Sequence, residues 1–109
     1  MIGVPDSALK DYLKDKDYIV ATDEGEAVGY AAGVYLATGK PETVFMGSNG
    51  FCNALDALTS LIIPYQIPIK LVIGVRADVA WHLIMGAEIH NIIDDLFNDS
   101  ETVSIKIIK

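Results

Sequence analysis

Apolar residues in this chain fall into short blocks divided by turn-forming residues, and the blocks alternate between two spacings. Residues 1–4 read as a short strand. Pro5-Asp6-Ser7 is a turn in which Asp6 or Ser7 caps a following helix over 8–14, with Leu9 and Leu13 on one face. Residues 18–21 form a second short apolar run. A helix rich in alanine and glycine follows Thr22-Asp23 and covers 24–37, closed by Gly39-Lys40-Pro41. Residues 43–46 are the next strand, 47–50 a polar loop, and 51–63 a helix. The run at 69–75 is nearly unbroken in its apolar character, as expected of a strand covered on both faces. A helix over 85–97 and an alternating strand over 102–108 complete the order.

Strands that alternate with helices in this way predict βαβ units, right-handed crossovers and a parallel sheet. The fold expected is α/β: a doubly wound parallel sheet with helices on both faces, residues 1–109 forming one domain. Ligands of such sheets bind beyond the carboxyl ends of the strands. Three segments fall there: 22–26, 47–53 and 76–82.

Composition narrows the choice of partner. Hydrophobic residues make up 51% of the chain, which excludes disorder and implies that some apolar surface is left for an interface. Eight basic against fifteen acidic residues give a net charge of −7. With Arg76 the only arginine and the lysines scattered, nucleic-acid binding is not expected. No apolar stretch has the length of a membrane span, and no basic-then-apolar leader opens the sequence. The single cysteine, Cys52, has no internal disulfide partner and fits a reducing compartment. A cytoplasmic protein is expected.

Taken singly, the chemically capable residues have ordinary explanations. Glu24 is a first-turn acidic residue, a common helix feature. Gly25, Gly29 and Gly33 share one helical face and allow close packing; they are not a phosphate loop, which needs a following Gly-Lys-Ser/Thr. Cys52 near a helix start is a possible thiolate, but no histidine lies near it in sequence. His82, Glu88 and His90 lack metal-ligand spacing, and no metal site is expected.

Taken together, three stretches resemble one family. Gly3-Val4-Pro5-Asp6-Ser7 is similar to the opening of phosphonopyruvate decarboxylases. Asp23-Glu24-Gly25-Glu26-Ala27-Val28-Gly29, continuing to Gly39-Lys40, resembles the helix after their second strand. Gly50, Asn53-Ala54-Leu55, Leu58-Thr59-Ser60-Leu61, Ile67-Pro68 and Ile73-Gly74 follow in the same order, and His82 and Gly86 keep the spacing of a late His-xxx-Gly element. The resemblance is to the pyrimidine-binding domain of the thiamine-diphosphate-dependent phosphonopyruvate and sulfopyruvate decarboxylases. It implies the thiamine-diphosphate-binding fold of pyrimidine type. It also implies that Glu24 is the carboxylate that bonds the pyrimidine ring and activates the cofactor, whose ring system is the electron sink. Gly50 and Asn53 would line the cofactor; Asp6, Ser7, Arg76 and His82 would face a small anionic 2-oxoacid.

The chain also departs from that pattern. Relatives carry Gln-Asn-Ser-Gly-Leu-Gly-Asn where this chain has Gly47-Ser48-Asn49-Gly50-Phe51-Cys52-Asn53. They carry Gly-Trp-Arg-Gly where it has Gly74-Val75-Arg76-Ala77. They have a helix before their Gly-Val-Pro and a second domain, with a Gly-Asp-Gly motif, that holds the diphosphate through Mg²⁺. No Gly-Asp-Gly occurs here. The resemblance therefore implies an α-type subunit that binds thiamine diphosphate and Mg²⁺ only with a separate diphosphate-binding β-type subunit, as a hetero- or homo-oligomer. The alternative is a non-catalytic scaffold or regulatory module descended from that domain.

Overall fold

The computed structural model describes residues 1–76 and 83–109. Five strands appear where the sequence pattern places them: β1 (Ile2–Gly3), β2 (Ile19–Val20), β3 (Glu42–Gly47), β4 (Ile69–Gly74) and β5 (Val103–Ile108). They form one sheet in the order β2-β1-β3-β4-β5, every pairing parallel. Helices α1 (Lys10–Leu13), α2 (Glu24–Thr38), α3 (Phe51–Ala57) and α4 (Leu83–Phe97) connect them.

The two faces of the sheet are covered unequally. Side chains alternate between faces along a strand. Ile2, Val44, Met46, Leu71 and Ile73 point one way, into a core with Ala27, Val28, Ala31 and Ala32 of α2, Phe51 and Ala54 of α3, and Ile89 and Phe97 of α4. Phe45 and Val72 point the other way and meet a smaller set, Leu9, Leu13 and a few half-buried neighbours, with Tyr18 edge-on to Phe45 at 5.1 Å. Strand order explains the imbalance. The crossover from β1 to β2 steps one way across the sheet, and the later three step the other. With a fixed right-handed sense, that puts α1 alone on its face. The strand order reverses between β1 and β3, which opens a crevice beyond their carboxyl ends.

Two expected helices are less regular than their periodicity suggests. The segment expected over 8–14 begins as a 3₁₀ turn, Ser7–Leu9, before α1. Asp6 causes this: its Oδ1 accepts from the Ala8 N–H at 3.0 Å and its carbonyl from the Leu9 N–H at 2.9 Å, a tight start. The segment expected over 51–63 is α-helical only through Ala57 and continues as a π turn, Leu58–Ile62, with Ile63 N–H donating to the Leu58 carbonyl at 2.9 Å.

At the amino end of the sheet, the Met1 ammonium lies 2.9 Å from Oε1 of Glu42, which also accepts from the Thr43 N–H at 2.9 Å. Burial works to raise the Glu42 carboxyl, but these hydrogen bonds and the nearby positive charge outweigh it and hold the group below its ordinary value. Among the described residues no helix is long and apolar enough to cross a membrane.

Candidate functional site

The turn from β2 into α2 is fixed by a reciprocal cap. Asp23 accepts from the Glu26 N–H at 2.9 Å, and Glu26 in turn accepts from the Thr22 N–H at 3.0 Å. Glu26 is thereby accounted for as a capping residue, and Glu24 becomes the first residue of α2. A helix start favours negative charge, yet Glu24 is only 8% exposed. Its side chain runs inward to the start of α3, 29 residues later in sequence, where Asn53 Nδ2 donates to Oε2 at 3.1 Å.

Gly50 makes this placement possible. A Cβ on residue 50 would land on the Glu24 carboxylate, with Oε1 its nearest neighbour. The carboxylate thus fills the space that a side chain at 50 would take. No described residue donates a hydrogen bond to Oε1, while Oε2 has Asn53. A buried carboxylate oxygen with no donor is a costly arrangement unless a ligand supplies one.

A second polar group lies at the ends of β1, β3 and β4. Arg76 Nη1 stands 4.0 Å from Asp6 Oδ2, with side-chain exposures of 23% and 11%. Ser48, fully buried, accepts from the Arg76 N–H at 3.3 Å and so ties the end of β3 to the residue after β4. Gly47 leaves room for Asp6: a Cβ there would come within 2.5 Å of Oδ2. This group sits at the crevice where the strand order reverses.

The structure therefore sorts the candidates named from sequence. Glu24, Gly50 and Asn53 come together. Asp6 and Arg76 come together, with Asp6 also capping the turn after β1. Ser7 is exposed on that turn and lines a cavity of about 660 Å³ with Asp6, Lys10, Lys14 and Tyr18; Glu24 does not border it. His82 lies outside the described residues. Cys52 is free and exposed. Among the described residues no group of three or more potential ligands could hold a metal ion. Ser48 was missed by sequence reasoning; serine in a Gly-Ser-Asn-Gly loop reads as a solvated turn residue, and only its burial reveals the link to Arg76.

No described family profile matches the chain. Individual proteins do. The alpha subunit of sulfopyruvate decarboxylase from Methanocaldococcus jannaschii is 39% identical over 102 residues, covering 84% of this chain and 60% of the relative. The same subunit from Methanococcus maripaludis is 35% identical over 82 residues, 70% of this chain and 48% of the relative. That from Methanothermobacter thermautotrophicus is 36% identical over 81 residues, 69% and 48%. The chain spans roughly half to three fifths of the length of these relatives. Its parallel α/β sheet, with a buried carboxylate opening the helix after an edge strand, defines a domain of the pyrimidine-binding type. Within that type, the chain is an alpha-subunit-like domain, similar to about half of the sulfopyruvate decarboxylase alpha subunits.

Proposed function

We propose that this chain is the pyrimidine-binding half of a thiamine-diphosphate-dependent decarboxylase acting on a 2-oxoacid that bears a sulfonate or phosphonate. The observation that carries the proposal is the Glu24 side chain, on a residue only 8% exposed: one carboxylate oxygen is held by Asn53, and the other has no donor among the described residues. That arrangement fits an aminopyrimidine ring, which presents a donor at N1′ once that nitrogen is protonated.

Bound there, thiamine diphosphate would supply the carbon nucleophile and electron sink that a 2-oxoacid decarboxylation needs. The residues of this chain do the rest of the work on its side of the site. Glu24 Oε1 holds a proton at N1′. Arg76, at the switch-point crevice, offers a cation to an anionic substrate, and Asp6 limits how far its guanidinium can swing.

No described residue is placed to hold a diphosphate and its Mg²⁺, so the reading requires a diphosphate-binding β-type subunit. The surface proposed to meet it is the outer side of α2. From Ala27 to Gly39 there is no charged residue, and Gly29, Tyr30, Gly33, Leu36 and Ala37 are exposed there. A helix apolar on all sides belongs in an interior. Beside its end, Tyr35, Leu36, Leu61, Tyr65 and Ile67 line an apolar groove of about 320 Å³.

The test is co-expression with a diphosphate-binding β-type subunit, followed by assay of CO₂ release from sulfopyruvate and phosphonopyruvate with thiamine diphosphate and Mg²⁺. Turnover that neither chain shows alone is expected. A stable complex without turnover on either substrate would favour the non-catalytic module, for which the altered loop at 47–53 and the Asp6 contact on Arg76 already speak.

A further inference from the structure

We infer that Asn53 is a positioning residue that acts through Glu24 rather than a residue that touches the cofactor. The inference deepens the proposed function, on which its effect on rate depends; its effect on folding does not.

A glutamate side chain has three rotatable bonds and two equivalent oxygens. To serve one ring nitrogen, the carboxylate must be held in one orientation with one oxygen facing the ligand. The cap at Thr22–Glu26 fixes only the backbone of Glu24. The carboxylate is fixed from the other side, by the start of α3. Gly50 and Asn53 are three residues apart and share a helical face. One provides the space for the carboxylate, and the other donates to Oε2 at 3.1 Å. The backbone of Asn53 is itself in close contact with α2: its carbonyl oxygen lies 2.9 Å from where a Cβ on Gly25 would stand. The amide is therefore carried on a part of α3 that is pressed against the helix it serves. Engaging Oε2 singles out Oε1 as the oxygen left for a ligand.

An amide suits this role better than its isostere. Aspartate at 53 would keep the shape, lose the donor, and set two carboxylates about 3 Å apart. The isosteric change should therefore do more harm than truncation, which is the reverse of what a purely space-filling role gives.

Two measurements test the inference. The first uses the full chain alone, without cofactor or partner: urea unfolding of Asn53→Ala, Glu24→Ala and the double variant. Non-additivity of about tenfold in the unfolding equilibrium constant is expected, the size of a hydrogen bond to a charged group. Asn53→Asp should be less stable than Asn53→Ala at neutral pH. Additive effects, with Asn53→Asp no worse than Asn53→Ala, would overturn the inference whatever the activity. The second uses the reconstituted complex. Asn53→Ala should lower kcat about 10–100-fold and leave the KM for the oxoacid within about twofold. In the Glu24→Gln background it should cost nothing further. Full multiplication of the two losses would show that Asn53 acts independently of Glu24 and would overturn its positioning role. If the folding cycle shows coupling but no complex turns over, the decarboxylase reading fails and the positioning of Glu24 by Asn53 stands.

Discussion

Two carboxylates at the carboxyl end of this sheet have opposite circumstances. Asp6 is satisfied by its own chain: Ala8 N–H caps one oxygen and Arg76 stands 4.0 Å from the other. Glu24 is more deeply enclosed yet has, among the described residues, a single neutral donor. The difference teaches which corner awaits a ligand. A carboxylate with a cation beside it and a backbone donor below it is complete. A carboxylate taken out of water and left one donor short is complete only when something binds. The Asp6 pair is better read as a setting for Arg76, and partly exposed pairs of this kind contribute little to stability.

The largest effect that would test this contrast is on rate. In an active reconstituted complex, Glu24→Gln should lower kcat about 10²–10⁴-fold with assembly unchanged, because the amide keeps the shape but cannot hold the proton at N1′. Arg76→Ala should act instead on KM, raising it about tenfold or more. If the two variants exchanged phenotypes, the roles of the corners would be reversed.

Stability should separate the corners less widely. Gly50→Ala forces the enclosed Glu24 carboxylate to move and should cost about 1–3 kcal/mol in urea unfolding of the chain. Gly47→Ala presses on Asp6 less closely, at 2.5 Å from its Oδ2, and should cost less. Equal costs would argue that the Glu24 corner is no tighter than the other.

Cys52 lies beside Asn53 in sequence, but its side chain is exposed and no chemical step is assigned to it. Cys52→Ala should change kcat by less than about threefold. A loss comparable to that of Glu24→Gln would replace the carboxylate reading with a thiol enzyme. The smallest effect belongs to a third carboxylate, Glu42, remote from both corners. Its folded-state value is lowered, so it stabilises the fold above the ordinary glutamate range, and that contribution is lost as pH falls through the lowered value. Glu42→Gln should flatten the acid side of a stability–pH curve slightly and leave activity untouched.

The architecture was legible because its signals are local. Residues 69–75 carry an apolar run that only a buried strand explains, and Asp23, Gly39 and Pro41 punctuate α2 by their own backbone chemistry. The resemblance picked out Glu24 and Asn53, but no spacing rule joins residues 29 apart, so their hydrogen bond needed the fold. The unequal covering of the sheet was hidden for a similar reason. It depends on strand order, whereas periodicity reports only that a strand is apolar. The π turn at 58–62 and the 3₁₀ turn at 7–9 were unreadable because both share the apolar spacing of an ordinary helix at that length.

Strand β2 gives this site a dynamic side. It has two residues, Ile19 and Val20, which are 50% and 63% exposed at the margin of the sheet and paired only with β1. Segments with little buried area and few ladder bonds open at a small fraction of the global unfolding free energy. Its amides, with the Ile19 N–H bonded to the Met1 carbonyl and the Ala21 N–H to the Gly3 carbonyl, should exchange with deuterium far sooner than those of β3 and β4. Glu24 lies four residues beyond Val20, the end of this strand. A partner that covered Tyr18, Ile19 and Val20 would slow that exchange, and in doing so it would raise the fraction of molecules in which Glu24 is seated against Gly50. Docking would then act as a rheostat on the population competent to bind, at no cost in new contacts to the ligand.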